Sequence, residues 1–300
     1  MAKKALFILL ALVLSTGLSA GVAEGLSIVT TDFPCYDLVR AVTGGEAEVT
    51  MLLKPGMEAH TYDPSPSDIL AIGSADLFVC IGGESDSWAE DVISSMGAEA
   101  PRTLRLIETV DALSELKADE PGEAPALDEH IWTSPRNARR MLDAVEQALV
   151  AAAPDEAELF QANAKAYGDE IDALDEQLQA LVAGAKRRTL VFADRFPFQY
   201  LTHDYGLDYK AAFLSCTAQT EPSARVVVEL IGTVIEEQIP VVYTIELSNG
   251  AIAQTILQET GVPSAQLDSM QTVSLDDFEA GETYVSIMQR NLEAIERGLY

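Results

Sequence analysis

A long helical stretch in the middle of the chain constrains the fold most. Residues 154–186 carry one continuous apolar stripe at the spacing of a helix face, namely Tyr167, Ile171, Leu174, Leu178 and Leu181. Pro154 and two acidic residues begin the stretch, and Gly184 and three basic residues end it, as the helix dipole favours. Segments in which strand and helix patterns alternate lie on both sides of it. We therefore predict one rigid spine helix over residues 154–186 that joins two lobes.

Both flanking segments predict a parallel sheet flanked by helices. Short apolar strand patterns alternate with helical patterns, which is typical of α/β folds. The second half also repeats the first, because Phe33-Pro34 and Phe196-Pro197 each lie between a strand and a helix that ends near a glycine. The sequence therefore predicts an α/β fold of two similar lobes.

The N-terminus has the pattern of a secretory leader. Two lysines precede a short apolar run, and small residues follow up to Ala23. We expect residues 1–23 to be a signal peptide, followed by lobes at residues 24–153 and 187–300. No cysteine follows the run closely, so we expect export without a lipid anchor, to a periplasmic or extracellular location that includes the cell surface.

Net charge and cysteine spacing exclude several classes of function. The 300-residue chain carries a net charge of −29, and such an acidic surface repels nucleic acid and anionic lipid and mildly attracts cations. The cysteines, Cys35, Cys80 and Cys216, are widely spaced and match no metal or redox pattern. We therefore expect no nucleic-acid partner and no cysteine chemistry.

Two of the three histidines lie on loops suited to hold a ligand. His60 lies between a Pro-Gly turn and a Pro-x-Pro segment that stiffens the loop, and Ser67 is the predicted N-cap of the next helix. His130 lies just before the helix start at Ser134-Pro135. His203, in contrast, lies within a helical stretch and is expected to face solvent. His60 and His130 are candidate ligands for Zn, Mn, Fe or Ni, which neutral imidazole binds well.

Two imidazoles do not complete a metal shell, and the C-terminal half offers carboxylates in matching places. Ligands of open α/β sheets bind beyond the carboxyl ends of the strands. Acidic residues follow three predicted strands there: Asp194, Glu246 and Asp268. Two histidines from one lobe and a carboxylate from the other would supply the usual three or four ligands. The pattern alone does not choose among the three acids.

The segments around both histidines resemble the two histidine motifs of the zinc/manganese solute-binding proteins of ABC transporters. The matching segments are residues 55–68 and 128–138, and the resemblance extends over the mature chain, including Gly82-Gly83, residues 221–223 and the spine helix. It implies two α/β lobes bridged by a rigid helix, and a monomer that is not an enzyme. It also implies Zn²⁺, or alternatively Mn²⁺, in the cleft and delivery of this metal to a membrane permease.

The resemblance also implies roles for particular residues. His60 and His130 match the family's histidine ligands, and Asp268, in the segment Leu267-Asp268-Ser269-Met270, matches its carboxylate ligand. Many members carry a histidine or glutamate ligand in the turn after the spine, where this chain has Arg195. A cation cannot bind the metal.

Three alternatives remain for the missing ligand: Asp194 substitutes, Glu221 or Glu246 reaches in, or water completes the shell. The predicted metal site is therefore His60, His130, Asp268 and Asp194. The acidic loop before His130 lacks the histidine-rich tract of zinc-scavenging members, which leaves the metal open. An extra carboxylate would favour Mn, and a compact four-coordinate shell would favour Zn.

Two other functions compete with metal transport. An exported metallohydrolase could use His60, His130 and an acid around an activated water. The sequence has no HExxH and no nucleophile motif, and only Asp128 and Glu129 lie beside a candidate ligand histidine as a possible general base. Asp128 is better placed to orient His130. A cell-surface adhesin would also fit export, but no residue points to it.

Overall fold

The computed structural model describes residues 25–44, 47–116, 126–214 and 222–300. The predicted signal peptide, Cys216 and Glu221 lie outside these residues. The strands are β1 Ser27–Thr30, β2 Glu48–Met51, β3 Leu77–Cys80, β4 Arg102–Arg105, β5 Thr189–Phe192, β6 Asp208–Ala211, β7 Val242–Thr244 and β8 Ser264–Gln266. The α-helices are α1 Phe33–Thr43, α2 Pro66–Ser74, α3 Ser87–Met96, α4 Pro135–Ala152, α5 Ala157–Ala183, α6 Gln199–Tyr205, α7 Ala224–Glu236, α8 Ala251–Thr260, α9 Leu275–Ala280 and α10 Tyr284–Leu299.

The strands form two parallel sheets of the same topology. The first sheet has the order β2-β1-β3-β4, and the second has the order β6-β5-β7-β8. The two orders are equivalent, because adding four to each strand number of the first sheet gives the order of the second sheet. The prediction of an α/β fold with two similar lobes is therefore confirmed, and the carboxyl ends of both sheets border the space where the candidate ligands lie.

Burial differs between the inner and the outer strands of each sheet. The inner strands β1, β3, β5 and β7 are mostly buried apolar segments, as expected of strands covered on both faces. The edge strands β4 and β6 have the sequences RTLR and DYKA and are partly exposed. Charged residues on an edge strand oppose pairing with other chains. The sequence patterns had not predicted these two strands.

Helix α5 is the spine, and a 3₁₀ turn at Pro154–Glu156 precedes it. Its buried face includes Phe160, Ile171, Leu174 and Leu178, while Tyr167 and Leu181 are half-buried at the margin of the stripe. The helix contacts α1 and α4 of the first lobe and α6 and α10 of the second, so one continuous apolar core joins the lobes. Among the described residues, no helix has the length and apolarity needed to cross a membrane. The exact lobe boundaries stay a prediction.

Truncation of a buried spine residue tests this shared core. We expect Leu178→Ala to lower the free energy of unfolding by about 2–5 kcal/mol, because a fully buried leucine leaves a cavity. Urea denaturation followed by circular dichroism measures the change. Gln177→Ala, at an exposed position of the same helix, is the matched control. Equal unfolding midpoints for the two variants would contradict a structural role of this face.

The loop after His60 is stiff for a slightly different reason from the one predicted. Ser65, not Ser67, is the N-cap of α2, and it forms a capping box with Asp68. Pro66 then occupies the first helical position, where its missing N–H is not needed. The Asp68 carboxylate also accepts a hydrogen bond of 2.9 Å from the Tyr62 hydroxyl. The cap therefore fixes the chain between His60 and α2.

The two lobes contact each other directly around the cleft. The Trp132 indole donates to the carbonyl of Ser269 at 2.7 Å, and the Gly56 amide donates to the carbonyl of Val273 at 2.8 Å. On another side the Tyr200 hydroxyl donates to the carbonyl of Asp128 at 2.7 Å. These contacts hold the N-terminal loops that carry both histidines against the C-terminal lobe.

Cys35 and Cys80 are buried and free in the structure. Cys80 lies in β3, as the apolar pattern predicted. Both act as small apolar residues of the core.

Candidate metal site

Three side chains of the N-terminal lobe bring metal-binding atoms together. One ring nitrogen of His60, one of His130 and a carboxylate oxygen of Glu129 all lie within 4.8 Å of one another. We call these three residues the triad. His60 lies on a 3₁₀ turn after β2, and His130 directly precedes a 3₁₀ turn that leads into α4. The structure thus brings together both histidines that the sequence singled out, while their role as ligands stays a prediction.

Hydrogen bonds fix the tautomer of each imidazole. The Ser85 hydroxyl donates its proton to Glu129, so it accepts the hydrogen bond of 2.8 Å from His60 Nδ1. His130 Nδ1 lies 2.8 Å from Asp128 Oδ1, and a carboxylate accepts. With protons on both Nδ1 atoms, each Nε2 carries the lone pair that a metal needs. As the sequence analysis expected, Asp128 orients His130.

The electrostatics of His60 favour the neutral imidazole. Burial lowers its pKa; Glu129 acts in the opposite direction, and the neighbouring His130 lowers the pKa further. His60 Nε2 is buried and has no hydrogen-bond partner among the described residues. A buried polar atom normally has a partner. The unsatisfied Nε2 of His60, in the same group as the Glu129 carboxylate, is therefore a suitable ligand atom for a metal ion.

Glu129 is the candidate ligand that sequence reasoning missed. Its Oε2 accepts a hydrogen bond of 2.8 Å from the Ser85 amide, and its Oε1 accepts from the Ser85 hydroxyl and, at 3.2 Å, from Gln271 Nε2. A Cβ atom on Gly83 would lie 2.2 Å from the Cβ of Glu129, so only glycine leaves room for it. The available signals were its place beside His130 and the Gly82-Gly83 pair.

The other predicted ligands, Asp268 and Asp194, are not part of the triad. The Asp268 carboxylate accepts a hydrogen bond from the Gln266 amide and lies 3.9 Å from Arg290 Nη2. Asp194 Oδ1 accepts from the Arg195 amide at 2.9 Å, and its Oδ2 is buried without a hydrogen-bond partner among the described residues. Neither acid is among the described residues that line the cavities beside the histidines. Their role as ligands stays a prediction.

Glu246 and Arg195 line a cavity together with the two histidines. Each has a hydrogen-bond or ion-pair partner there. Glu246 accepts hydrogen bonds from the amide and hydroxyl of Ser269, and burial raises its pKa to about 7. The Arg195 guanidinium lies 3.1 Å from Glu58 Oε2, an ion pair that links the two lobes. The interlobe side of the histidines is thus occupied by an ion pair and a buried acid bound to serine.

A second cavity beside the triad is acidic. It is lined by His60 and His130 together with Glu84, Glu115, Asp128 and Glu129. Exposure decreases from Glu84 at the surface to the buried Glu129. This charge distribution attracts cations toward the imidazoles.

His203 lies on α6 with an exposed side chain, and its Nδ1 is 3.0 Å from Asp204. The prediction that this third histidine faces solvent is confirmed.

The family model of "Zinc-uptake complex component A periplasmic" (ZnuA) matches residues 28–298. The chain belongs to the ZnuA family. This membership confirms the resemblance to solute-binding proteins of metal transporters. Members of this family are metal-binding components of uptake systems.

Curated relatives of this ZnuA-family chain carry names that refer to zinc. "Zinc-binding lipoprotein AdcA" of Streptococcus pneumoniae is 32% identical over 285 residues, which are 92% of this chain and 56% of that protein. "High-affinity zinc uptake system protein ZnuA" of Bacillus subtilis is 26% identical over 283 residues, which are 92% of this chain and 88% of that protein. The chain thus spans about half the length of the AdcA relatives that it matches.

Solved structures share the fold over most of the chain. The Zn(II)-bound ZnuA-like domain of Streptococcus pneumoniae AdcA has a TM-score of 0.76 and 32% identity, with 91% of this chain and 98% of that domain covered. The metal-dependent lipoprotein YcdH of Bacillus subtilis has a TM-score of 0.79 and 26% identity, with coverage of 92% and 99%. These ZnuA-type neighbours confirm the two-lobed α/β architecture.

Proposed function

We propose that this ZnuA-family protein captures a divalent transition metal at the triad, between its two lobes, and delivers it to an ABC permease. Zn²⁺ is the first candidate, and Mn²⁺ is the alternative. The observation that carries the proposal is the convergence of two imidazole nitrogens and one carboxylate oxygen within 4.8 Å. Two histidines and one carboxylate are a common ligand set for zinc. The zinc-related names of the relatives support the same metal.

The ligands in this proposal are Nε2 of His60, Nε2 of His130 and the carboxylate of Glu129. Ser85 and Asp128 hold the imidazoles through their Nδ1 atoms, as partners of metal-binding histidines commonly do. Water, or one of the predicted acids Asp268 and Asp194, completes the shell. The metal is the cargo of the protein and not part of a catalytic centre.

Location and partners follow from the same proposal. The predicted leader and the lipoprotein or uptake-system names of the relatives support an exported protein that works outside the cytoplasmic membrane. A monomer is sufficient, because all three proposed ligands come from one chain. The permease is the partner that a captured metal requires to enter the cell.

Metal-induced thermal stabilisation tests the proposal. A ligand present at 100 times its Kd stabilises the native state by about 2.7 kcal/mol. We therefore expect the Tm of chelator-treated protein to rise with the concentration of added Zn²⁺. Elemental analysis of the zinc-loaded protein is expected to find one metal ion per chain. Mg²⁺, which prefers oxygen ligands, is the control and should leave Tm unchanged. A Tm that does not respond to Zn²⁺ or Mn²⁺ would refute metal capture.

The same samples address the metallohydrolase alternative, for which the comparisons with known proteins give no support. Metal-loaded protein is expected to turn over neither ester nor phosphodiester substrates. Turnover that disappears in His60→Ala would instead favour the hydrolase.

A further inference from the structure

A short turn of the C-terminal lobe is held rigidly beside the triad. Both oxygens of Glu246 accept hydrogen bonds from Ser269, one from its amide at 2.7 Å and one from its hydroxyl. The Ser269 carbonyl accepts from the Trp132 indole of the other lobe at 2.7 Å. The next residue, Met270, is buried and has a left-handed backbone with a φ of 64°. Non-glycine residues adopt this conformation mainly where the surroundings enforce it.

This turn delivers the side chain of Gln271 to the triad. Gln271 is buried, and its Nε2 donates to Glu129 Oε1 at 3.2 Å. Its backbone amide donates to the Ser269 hydroxyl at 3.3 Å, so the same anchor fixes the main chain. Gln271 also lines both the interlobe cavity beside the histidines and the neighbouring cavity that contains Glu129. Its amide therefore lies between the two lobes at the centre of the site.

Gln271 and Ser85 together fix the carboxylate of Glu129 from opposite lobes. Ser85 of the N-terminal lobe binds both carboxylate oxygens, and Gln271 adds a second donor to Oε1. A donor on each side restrains rotation of the carboxylate about its terminal bond. A carboxylate restrained in this way loses less conformational freedom when it binds an ion.

We infer that Gln271 is a positioning residue that couples the C-terminal lobe to metal binding by orienting Glu129. The inference rests on the proposed function, because it assumes that Glu129 binds the metal. An amide suits this role because it donates a hydrogen bond and adds no charge. A carboxylate at the same place would repel Glu129 in the absence of a metal and attract the ion in its presence.

Two substitutions with opposite expected effects test the inference. In Gln271→Leu the donor is lost, and we expect the Kd for Zn²⁺ to rise about 10-fold, the lower end of the effect of partners that orient metal ligands. In Gln271→Glu we expect a lower Tm without metal and a larger rise of Tm on Zn²⁺ addition than in the unmodified protein. Both variants are studied as the full chain, with Kd measured by competition against a chromophoric chelator.

The visible spectrum of bound Co²⁺ supplies a readout that a purely structural role would not change. The spectrum depends on the number and geometry of the ligands, so a reoriented Glu129 is expected to alter it in Gln271→Leu. Gln199→Leu is the matched control, because the Gln199 amide donates to the carbonyl of Ser114 at 3.1 Å and not to the triad. Its Kd and Co²⁺ spectrum are expected to equal those of the unmodified protein.

Failure of the inference and failure of the proposed function give different results. If the unmodified protein binds none of Zn²⁺, Mn²⁺ and Co²⁺, the proposed function is refuted. If it binds Zn²⁺ and Co²⁺, and Gln271→Leu shows the same Kd and Co²⁺ spectrum, the positioning role of Gln271 is overturned and the metal site stands. If Gln271→Leu does not fold, Gln271→Glu decides, since a rise of Tm with Zn²⁺ no larger than that of the unmodified protein also overturns it.

Discussion

His60→Ala and His130→Ala are each expected to weaken Zn²⁺ binding by more than about 100-fold, beyond the 10–100-fold loss caused by removing a partner that only orients a ligand. Each change removes one of the two imidazole nitrogens that converge with Glu129. Chelator competition measures the affinity. The Tm without metal should stay nearly constant, because both residues lie on loop segments and not in the apolar core.

His203→Ala is the matched control for these two variants. The third histidine is exposed on α6, so its loss should leave both Zn²⁺ affinity and Tm unchanged. An unchanged affinity in His60→Ala or His130→Ala would remove that residue from the site. A loss of affinity in His203→Ala would indicate a metal site on the surface that is separate from the triad.

The second large effect is expected for substitution of Glu129. This substitution tests whether the carboxylate ligand is the one in the triad or the one that the family resemblance implies. Glu129→Gln keeps the size of the side chain but removes the negative charge beside both imidazoles. We expect it to weaken Zn²⁺ binding by about 100-fold or more, above the range for partners that only orient ligands. If water and not Asp268 completes the shell, Asp268→Asn should change the affinity by no more than about twofold, as for substitutions of residues that do not bind the metal.

The reasons for this difference lie in the contacts of the two acids. Glu129 is held by Ser85 and Gln271 within the triad, whereas the Asp268 carboxylate contacts Gln266 and lies near Arg290. The same chelator competition decides between them. A large loss of affinity in Asp268→Asn with none in Glu129→Gln would show that the C-terminal acid binds the metal, as the family resemblance implies.

The fold could be predicted where the sequence pattern is strong. The apolar stripe from Ile171 to Leu178 predicted the spine because a continuous helix face leaves a regular period. The inner strands were predicted because strands covered on both faces are continuous apolar runs. The edge strands β4 and β6 were missed because their charged, partly exposed residues give neither an apolar run nor a helical period.

The histidines of the site were also predictable, but their partners were not. Turn residues and helix starts mark the loops of His60 and His130, so local chemistry showed that both precede a helix. The N-cap of α2 is Ser65 and not the predicted Ser67, because a capping box and a proline at the first helical position act together. The position of Glu129 beside His130 marked it in the sequence, but this position alone did not show that its carboxylate, and not that of Asp128, lies beside both imidazoles.

The sequence by itself determined the two α/β lobes, the helix between them and the two loops that present imidazoles, because periodicity and turn chemistry act over a few residues. Only the tertiary structure decided which groups meet around those imidazoles. The hydrogen bond from Gln271 to Glu129 joins residues 142 positions apart, and Gly83 makes room for Glu129 from a different loop. Such contacts depend on how two sheets and a spine pack together, and packing over that distance leaves no periodic trace in the chain.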